Sequence, residues 1–158
     1  MTNKNKESGF SLIELLITVA IILIISAIAI PNLLRSKISA NEAAAVGSLK
    51  ALNASCINYS RTYNMGYPLA LKYLGPGTPP SSTAADMVDS LLAAGIKSGY
   101  TITYVSGAPN SGQVRTYTIS ASPTVADKTG QRYFFTDQTG VIRQNYGAVA
   151  TSSSTPIK

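Results

Sequence analysis

The arrangement of apolar and polar residues begins with a long apolar run near the N-terminus. Residues 10–34 carry a single charged side chain, Glu14. In a helix with a rise of about 1.5 Å per residue, this run is roughly 37 Å long, and the hydrocarbon core of a bilayer is about 30 Å thick. The pattern therefore predicts a helix of membrane-spanning length.

The stretch after this run is amphipathic. After a first step of seven, its apolar residues recur at steps of four and three, which places them on one helix face: Ile38, Ala45, Leu49, Leu52, Cys56, Tyr59 and Tyr63. The polar side carries Asn41, Ser48, Asn53 and Ser60. We expect one continuous helix over residues 10–63, ending near Asn64-Met65-Gly66. Pro31 lies inside it and predicts a kink or a loosened turn, because proline removes one backbone hydrogen bond.

Beyond Gly66 the pattern is typical of strands and loops. Residues 75–82 are rich in proline and glycine and predict an exposed loop. Thr83 and Asp86 have the spacing of a capping box, which predicts a short helix closed by Gly95.

Four runs rich in β-branched or aromatic residues predict strands: Tyr100–Val105, Val114–Ala121, Arg132–Thr136 and Val141–Gln144. Residues 137–140 are a candidate hairpin turn, and we expect the Ser/Thr-rich tail at 148–158 to be loose. The fold class is therefore α+β, with a long helix packed against an antiparallel meander of about four strands.

Composition argues against catalysis and against nucleic-acid binding. The chain has no histidine, and no spacing singles out a nucleophile or an acid–base pair, so we predict a protein that is not an enzyme and needs no cofactor. The formal charge is +6, but the basic residues are scattered rather than clustered.

Asp127 and Asp137 flank a predicted strand and are weak candidates for a calcium site, although turn formation explains both more simply. Cys56 is the only cysteine, which rules out an internal disulfide and favours a buried thiol.

The position of Glu14 requires a special explanation. A charged group at the centre of a bilayer costs at least about 2.5–3.5 kcal/mol, so the carboxylate needs either a partner or access to the headgroup layer. The segment before the apolar run is short and polar, and it ends at Gly9. A secretory signal instead has its small-residue cleavage site after the apolar stretch, and nothing of that kind follows here.

With Gly9 placed five residues before Glu14, the segment GFSLIELLITVAIILIISAIAIPNLL resembles the N-terminus of type IV prepilins and the related pseudopilins. The resemblance implies that a membrane peptidase cuts after Gly9 and that the new amine of Phe10 is methylated. It also implies that Glu14 forms an assembly salt bridge with the Phe10 amine of an adjacent subunit, and that Pro31 lies where the helix loosens on assembly. Many pilins carry a cysteine pair in the head, a pattern from which this chain departs.

This interpretation divides the chain into a leader (1–9), a transmembrane or filament-core half-helix (10–34) and a soluble head (35–158). We expect a structural subunit held in the bacterial inner membrane and then polymerised into an extracellular pilus-like filament. Its expected partners are other copies of itself and, by resemblance, the prepilin peptidase, the assembly ATPase and the platform protein. The alternatives are a type II secretion pseudopilin, a minor pilin and a single-span anchored binding domain. Major pseudopilins have an acidic calcium loop that this chain lacks, and retention of Glu14 argues against an obligatory tip subunit.

Overall fold

The computed structural model describes residues 10–157. Its longest element is helix α1 (Leu12–Tyr63), which confirms the predicted continuous helix. Asn64 and Gly66 follow at φ 53° and 77°, left-handed conformations that end a helix. The helix continues through Pro31.

The described chain divides after Ser36 into two compact units. The first contains the apolar part of α1, whose most apolar 18-residue window has a mean hydropathy of 2.9 with none of it buried. Within residues 10–157, α1 is the one helix long and apolar enough to cross a membrane, judged by length and composition. This part of the chain therefore contributes no core of its own.

The second unit contains a six-stranded antiparallel sheet whose strands follow one another in chain order. The strands are β1 (Ile96–Lys97), β2 (Tyr100–Ser106), β3 (Tyr117–Pro123), β4 (Arg132–Asp137), β5 (Arg143–Tyr146) and β6 (Thr155–Pro156). The four predicted strands correspond to β2–β5, which confirms the α+β meander. The two-residue strands β1 and β6 were not predicted.

The core of this unit lies between the sheet and the amphipathic part of α1. Alternate side chains of β2, β3 and β4 are buried on one face of the sheet: Tyr100, Ile102, Tyr117, Ile119, Ala121 and Phe134. The helix contributes the predicted stripe, of which Ala45, Leu49, Leu52, Cys56 and Tyr59 are buried. Burying a large apolar side chain stabilises a fold by about 1.5–3 kcal/mol, so each large apolar side chain buried at this interface stabilises the unit.

The short helix begins later than predicted. Thr83 does not cap it, because the backbone N–H groups at 85–88 donate to residues 73–75; the Ala85 N–H, for example, donates to Tyr73 O at 2.8 Å. Helix α2 (Ser90–Ala93) is instead capped by Asp89, whose side chain accepts the Leu92 N–H at 3.0 Å. A 3₁₀ helix at Leu71–Leu74 was also not predicted.

The tail is ordered against the sheet, so the expectation of a loose tail was wrong for its described residues. Strand β6 pairs with β5, and the Ile157 N–H donates to Ile142 O at 2.8 Å. Arg143 Nη1 donates to Ser154 O at 2.9 Å, and Ala150 is buried. Pairing with β5 provides hydrogen-bond partners for backbone groups of the tail. The Ser/Thr-rich composition of the tail did not indicate this pairing.

Candidate functional site

The candidate site at the start of α1 contains Phe10 and Glu14. Phe10 precedes the helix, and its side chain is 75% exposed. Glu14 lies in the first turn, and its Oε2 accepts the Ser11 N–H at 2.9 Å. Gly9, the predicted cleavage position, lies outside the described residues.

The bond between Ser11 and Glu14 is half of a capping box, in which an acidic residue three positions after the cap accepts the backbone N–H of the cap. The Ser-x-x-Glu spacing was visible in the sequence, but its capping role was not predicted. One carboxylate oxygen is used in this bond, which leaves the other oxygen to accept from a further donor. The pair between Glu14 and the Phe10 amine of another subunit stays a prediction, because it requires a second chain. The kink at Pro31 also stays a prediction.

Glu42, which sequence reasoning did not single out, connects α1 to the sheet. Its side chain is buried; Oε1 accepts the backbone N–H groups of Gln131 at 2.8 Å and of Arg132 at 3.1 Å. Arg132 Nε donates to Oε2 at 2.7 Å, and Arg132 Nη1 donates to Gln144 Oε1 at 2.9 Å. Burial alone would raise the pKa of Glu42, but the hydrogen bonds from Gln131 and Arg132 and the charge of Arg132 outweigh it and lower that pKa.

A second polar contact between helix and sheet involves Asn53. Its Nδ2 donates to Thr136 Oγ1 at 2.9 Å, while its Oδ1 accepts the Tyr117 hydroxyl at 3.0 Å. All three residues are buried. The polar side of the predicted helix is therefore not simply a solvated face, since Asn53 and Ser48 are both enclosed in the folded unit.

Cys56 is fully buried, which confirms the predicted buried thiol. Burial raises the pKa of its thiol to about 12. Because the thiolate is the reactive form, this cysteine is chemically inert in the folded chain.

Asp127 and Asp137 lie in two different turns. Asp127 Oδ1 accepts Gln131 Nε2 at 3.3 Å, and Asp137 Oδ1 accepts the Thr139 N–H at 2.9 Å. In the part of the chain that the structure describes, no group of three or more His, Cys, Asp or Glu side chains could hold a metal ion. Each carboxylate thus has a local turn contact that accounts for its position.

Residues 4–30 match the family model described as the prokaryotic N-terminal methylation motif, which is the signature of type IV prepilins. This match to the N-terminal segment supports a prepilin-type protein, either type IV pilin-like or a pseudopilin. Its long N-terminal helix and antiparallel sheet match the layout of the pilin fold. No curated protein and no solved structure gives a significant match.

Proposed function

We propose that this chain is the structural subunit of a type IV pilus-like filament, made as a prepilin and cleaved after Gly9. In this mechanism Phe10 becomes the methylated N-terminus, and the apolar half-helix anchors the subunit in the inner membrane until it is assembled. The same apolar surface then packs against neighbouring subunits in the fibre. The prepilin peptidase, assembly ATPase and platform protein are the partners that this route requires.

The observation that carries the proposal is the exposed apolar part of α1. Its large apolar side chains from Phe10 to Leu34 are between 44% and 80% exposed in the single chain. Such a surface is too large and continuous to be left in water, so it requires either lipid or other protein. A subunit that moves from the membrane into a fibre core satisfies this requirement in both states.

Apolar contact alone does not fix how neighbouring helices are aligned. Helices in lipid gain little from exchanging lipid for equally apolar protein, so an additional interaction must select the register. Glu14 supplies it if its carboxylate pairs with the Phe10 amine of the next subunit. A buried charge without its partner is strongly unfavourable, which penalises subunits in the wrong register.

Two measurements on the native host test this proposal. Mass spectrometry of the subunit should find Phe10 as the N-methylated first residue, and electron microscopy of sheared cell surfaces should show fibres made of this chain.

Gly9→Val should block cleavage, because a branched side chain obstructs access to the scissile backbone. Gly9→Ala, with a minimal side chain, is the matched control and should retain more processing.

The other outcomes identify the rival functions. Processed protein found only as short periplasmic assemblies, with no surface fibres, would indicate a pseudopilin. Uncut protein with normal membrane abundance would indicate a single-span anchored domain. Normal maturation of the Gly9→Val chain would show that the cleavage site has been assigned wrongly.

A further inference from the structure

The first turns of α1 in the second unit contact segments that come from the sheet. Asn41 Nδ2 donates to Thr129 O at 2.9 Å, which attaches the loop before β4 to the helix. The Gly147 N–H donates to Gln131 O at 3.2 Å, so the end of β5 lies against the same loop. Lys37 lies one turn before Asn41 on the same helix face. These segments form one surface, which we call the entry rim: Lys37, residues 124–131 and residues 146–147.

The exposed side chains of the entry rim have the chemistry that suits a membrane surface. Tyr146 is 65% exposed and Val125 is 47% exposed, so an aromatic and an aliphatic side chain are open to solvent. Lys37 and Lys128 are exposed cations. Tyrosine is enriched where proteins meet lipid headgroups, and lysine near the bilayer surface is attracted to anionic lipid.

The charge balance of the entry rim is positive. Its one carboxylate belongs to Asp127, whose Oδ1 accepts Gln131 Nε2 at 3.3 Å, and its two cations are those of Lys37 and Lys128. Arg35, two residues before Lys37, adds a further positive charge. The rim therefore favours an anionic partner over a neutral one.

The entry rim stays close to the apolar segment, whatever the orientation of the two units. Asn41 is seven residues after Leu34, and even a fully extended chain of that length spans only about 25 Å. If residues 10–34 lie in a bilayer, the surface of that bilayer is therefore within reach of the rim. A short tether gives an effective concentration on the order of millimolar, so a contact that would be weak between separate molecules is sufficient.

We propose that the entry rim docks on an anionic phospholipid surface while the subunit is held in the membrane. Val125 and Tyr146 enter the headgroup layer, and Lys37 and Lys128 contact lipid phosphates. The head is thereby held against the bilayer and must be released when the subunit enters a fibre. The inference rests on the proposed function, because it requires residues 10–34 to lie in a bilayer, and it adds a lipid partner for the head.

A single fluorescent reporter tests the docking. The chain has no tryptophan, so one substitution places the only indole at a chosen position. Tyr146→Trp places it in the entry rim. Met65→Trp is the matched control, because Met65 is 49% exposed and follows Tyr63, the last residue of α1, which is about 33 Å along the helix from Asn41. Each full-length chain is reconstituted in vesicles of phosphatidylglycerol and phosphatidylcholine, with or without bromine on the acyl chains.

We expect brominated lipid to quench the emission of Tyr146→Trp strongly and that of Met65→Trp weakly, because bromine quenches only at close range. Val125→Trp, a second rim position, should behave like Tyr146→Trp and shows whether either substitution disturbs the rim. Equal quenching at all three positions, or none at any, in chains that float with the vesicles would overturn the docking. Rim quenching that appears only at high protein density would indicate a second copy of the chain and overturn lipid as the partner.

The charge of the lipid has its own test. In the Tyr146→Trp background, Lys128→Gln removes one cation and should lower the ratio of docked to undocked heads by roughly fivefold. Arg115→Gln removes one exposed cation at the other end of the unit, next to Val114, whose N–H donates to Met65 O at 3.2 Å, and should leave the ratio unchanged. In vesicles of phosphatidylcholine alone, Lys128→Gln should have no effect. Equal effects of the two substitutions would contradict docking on anionic lipid.

Flotation and microscopy separate this inference from the proposed function. Chains that float with the vesicles and form fibres in their host, but show no rim quenching, would overturn the docking alone. Rim quenching in a chain that forms no fibres would support the docking and overturn the pilus function. Chains that do not float would overturn both, because residues 10–34 would then not anchor the subunit in a bilayer.

Discussion

Glu42 and Arg132, which are 90 positions apart in the sequence, form an ion pair with 2.7 Å between Oε2 and Nε. The pair connects α1 to the first residue of β4, at a point where Glu42 also accepts two backbone N–H groups. The chain has a single cysteine and therefore no internal disulfide that could connect the helix to the sheet. We infer that this pair fixes how the helix and the sheet are joined.

Replacing Glu42 with glutamine should reduce the free energy of unfolding of the head by about 1.5–3 kcal/mol, the range for hydrogen bonds to a charged group. The substitution keeps the size of the side chain but removes the charge that faces Arg132. Urea unfolding of the detergent-solubilised full-length chain, followed by circular dichroism, measures the change. Asp86→Asn removes an exposed carboxylate and should change the stability by less than about 0.5 kcal/mol. Equal effects of the two substitutions would contradict the proposed role of the pair.

The same carboxylate predicts a pH dependence of stability. Because the pKa of Glu42 is lowered in the folded state, the contribution of its carboxylate to the free energy of unfolding is fully present above the unfolded pKa of 4.5. This contribution should be lost as the pH falls from 4.5 through the lower pKa of the folded state. Unfolding midpoints measured across this acidic range should therefore fall more steeply for the native chain than for Glu42→Gln. Parallel curves would show that another group is responsible.

The buried contact of Tyr117 with Asn53 predicts a second loss of stability. Tyr117→Phe removes the hydroxyl that donates to Asn53 and leaves a buried acceptor without that donor, which should cost about 1–3 kcal/mol. Tyr146→Phe is the matched control, because Tyr146 is 65% exposed and its hydroxyl can bond to water. Thermal unfolding of both variants measures the difference, and a control as unstable as Tyr117→Phe would remove the basis for this prediction.

The main elements were predictable because their signals are local. Three- and four-residue spacing identified the buried helix stripe, and Asn64 with Gly66 identified its end. Runs of β-branched and aromatic residues identified β2–β5. Strands β1 and β6 have two residues each and form through pairing with a neighbouring strand, so the sequence carried no local signal for them.

The polar contacts between helix and sheet could not be predicted in this way. Glu42 and Asn53 have the appearance of residues on a solvated helix face, and their partners in the sheet are between 64 and 90 positions away. Only the tertiary arrangement shows that both are buried and satisfied. The motif at the start of α1 differs, because Gly9, Phe10 and Glu14 lie close together in the sequence; their roles in processing and assembly stay predictions.

The last prediction separates two roles of Glu14. Its carboxylate accepts the Ser11 N–H at the start of α1, and the proposed mechanism also assigns it a pair with the Phe10 amine of a neighbouring subunit. Glu14→Gln keeps an oxygen that can accept the Ser11 N–H but removes the charge, since glutamine also serves in a capping box. Glu14→Leu removes both functions.

If the intersubunit pair directs assembly, both variants should be cleaved and inserted in the membrane at normal abundance yet form few or no fibres. Loss of one partner from a buried ion pair costs about 3–5 kcal/mol, and a filament incurs this loss at every subunit contact. Electron microscopy of sheared fibres, with immunoblots of the membrane fraction, measures the two quantities separately. Fibres at native numbers from Glu14→Gln, together with none from Glu14→Leu, would mean that Glu14 acts by capping the helix. Native numbers from both would overturn its role in assembly and favour an anchored domain.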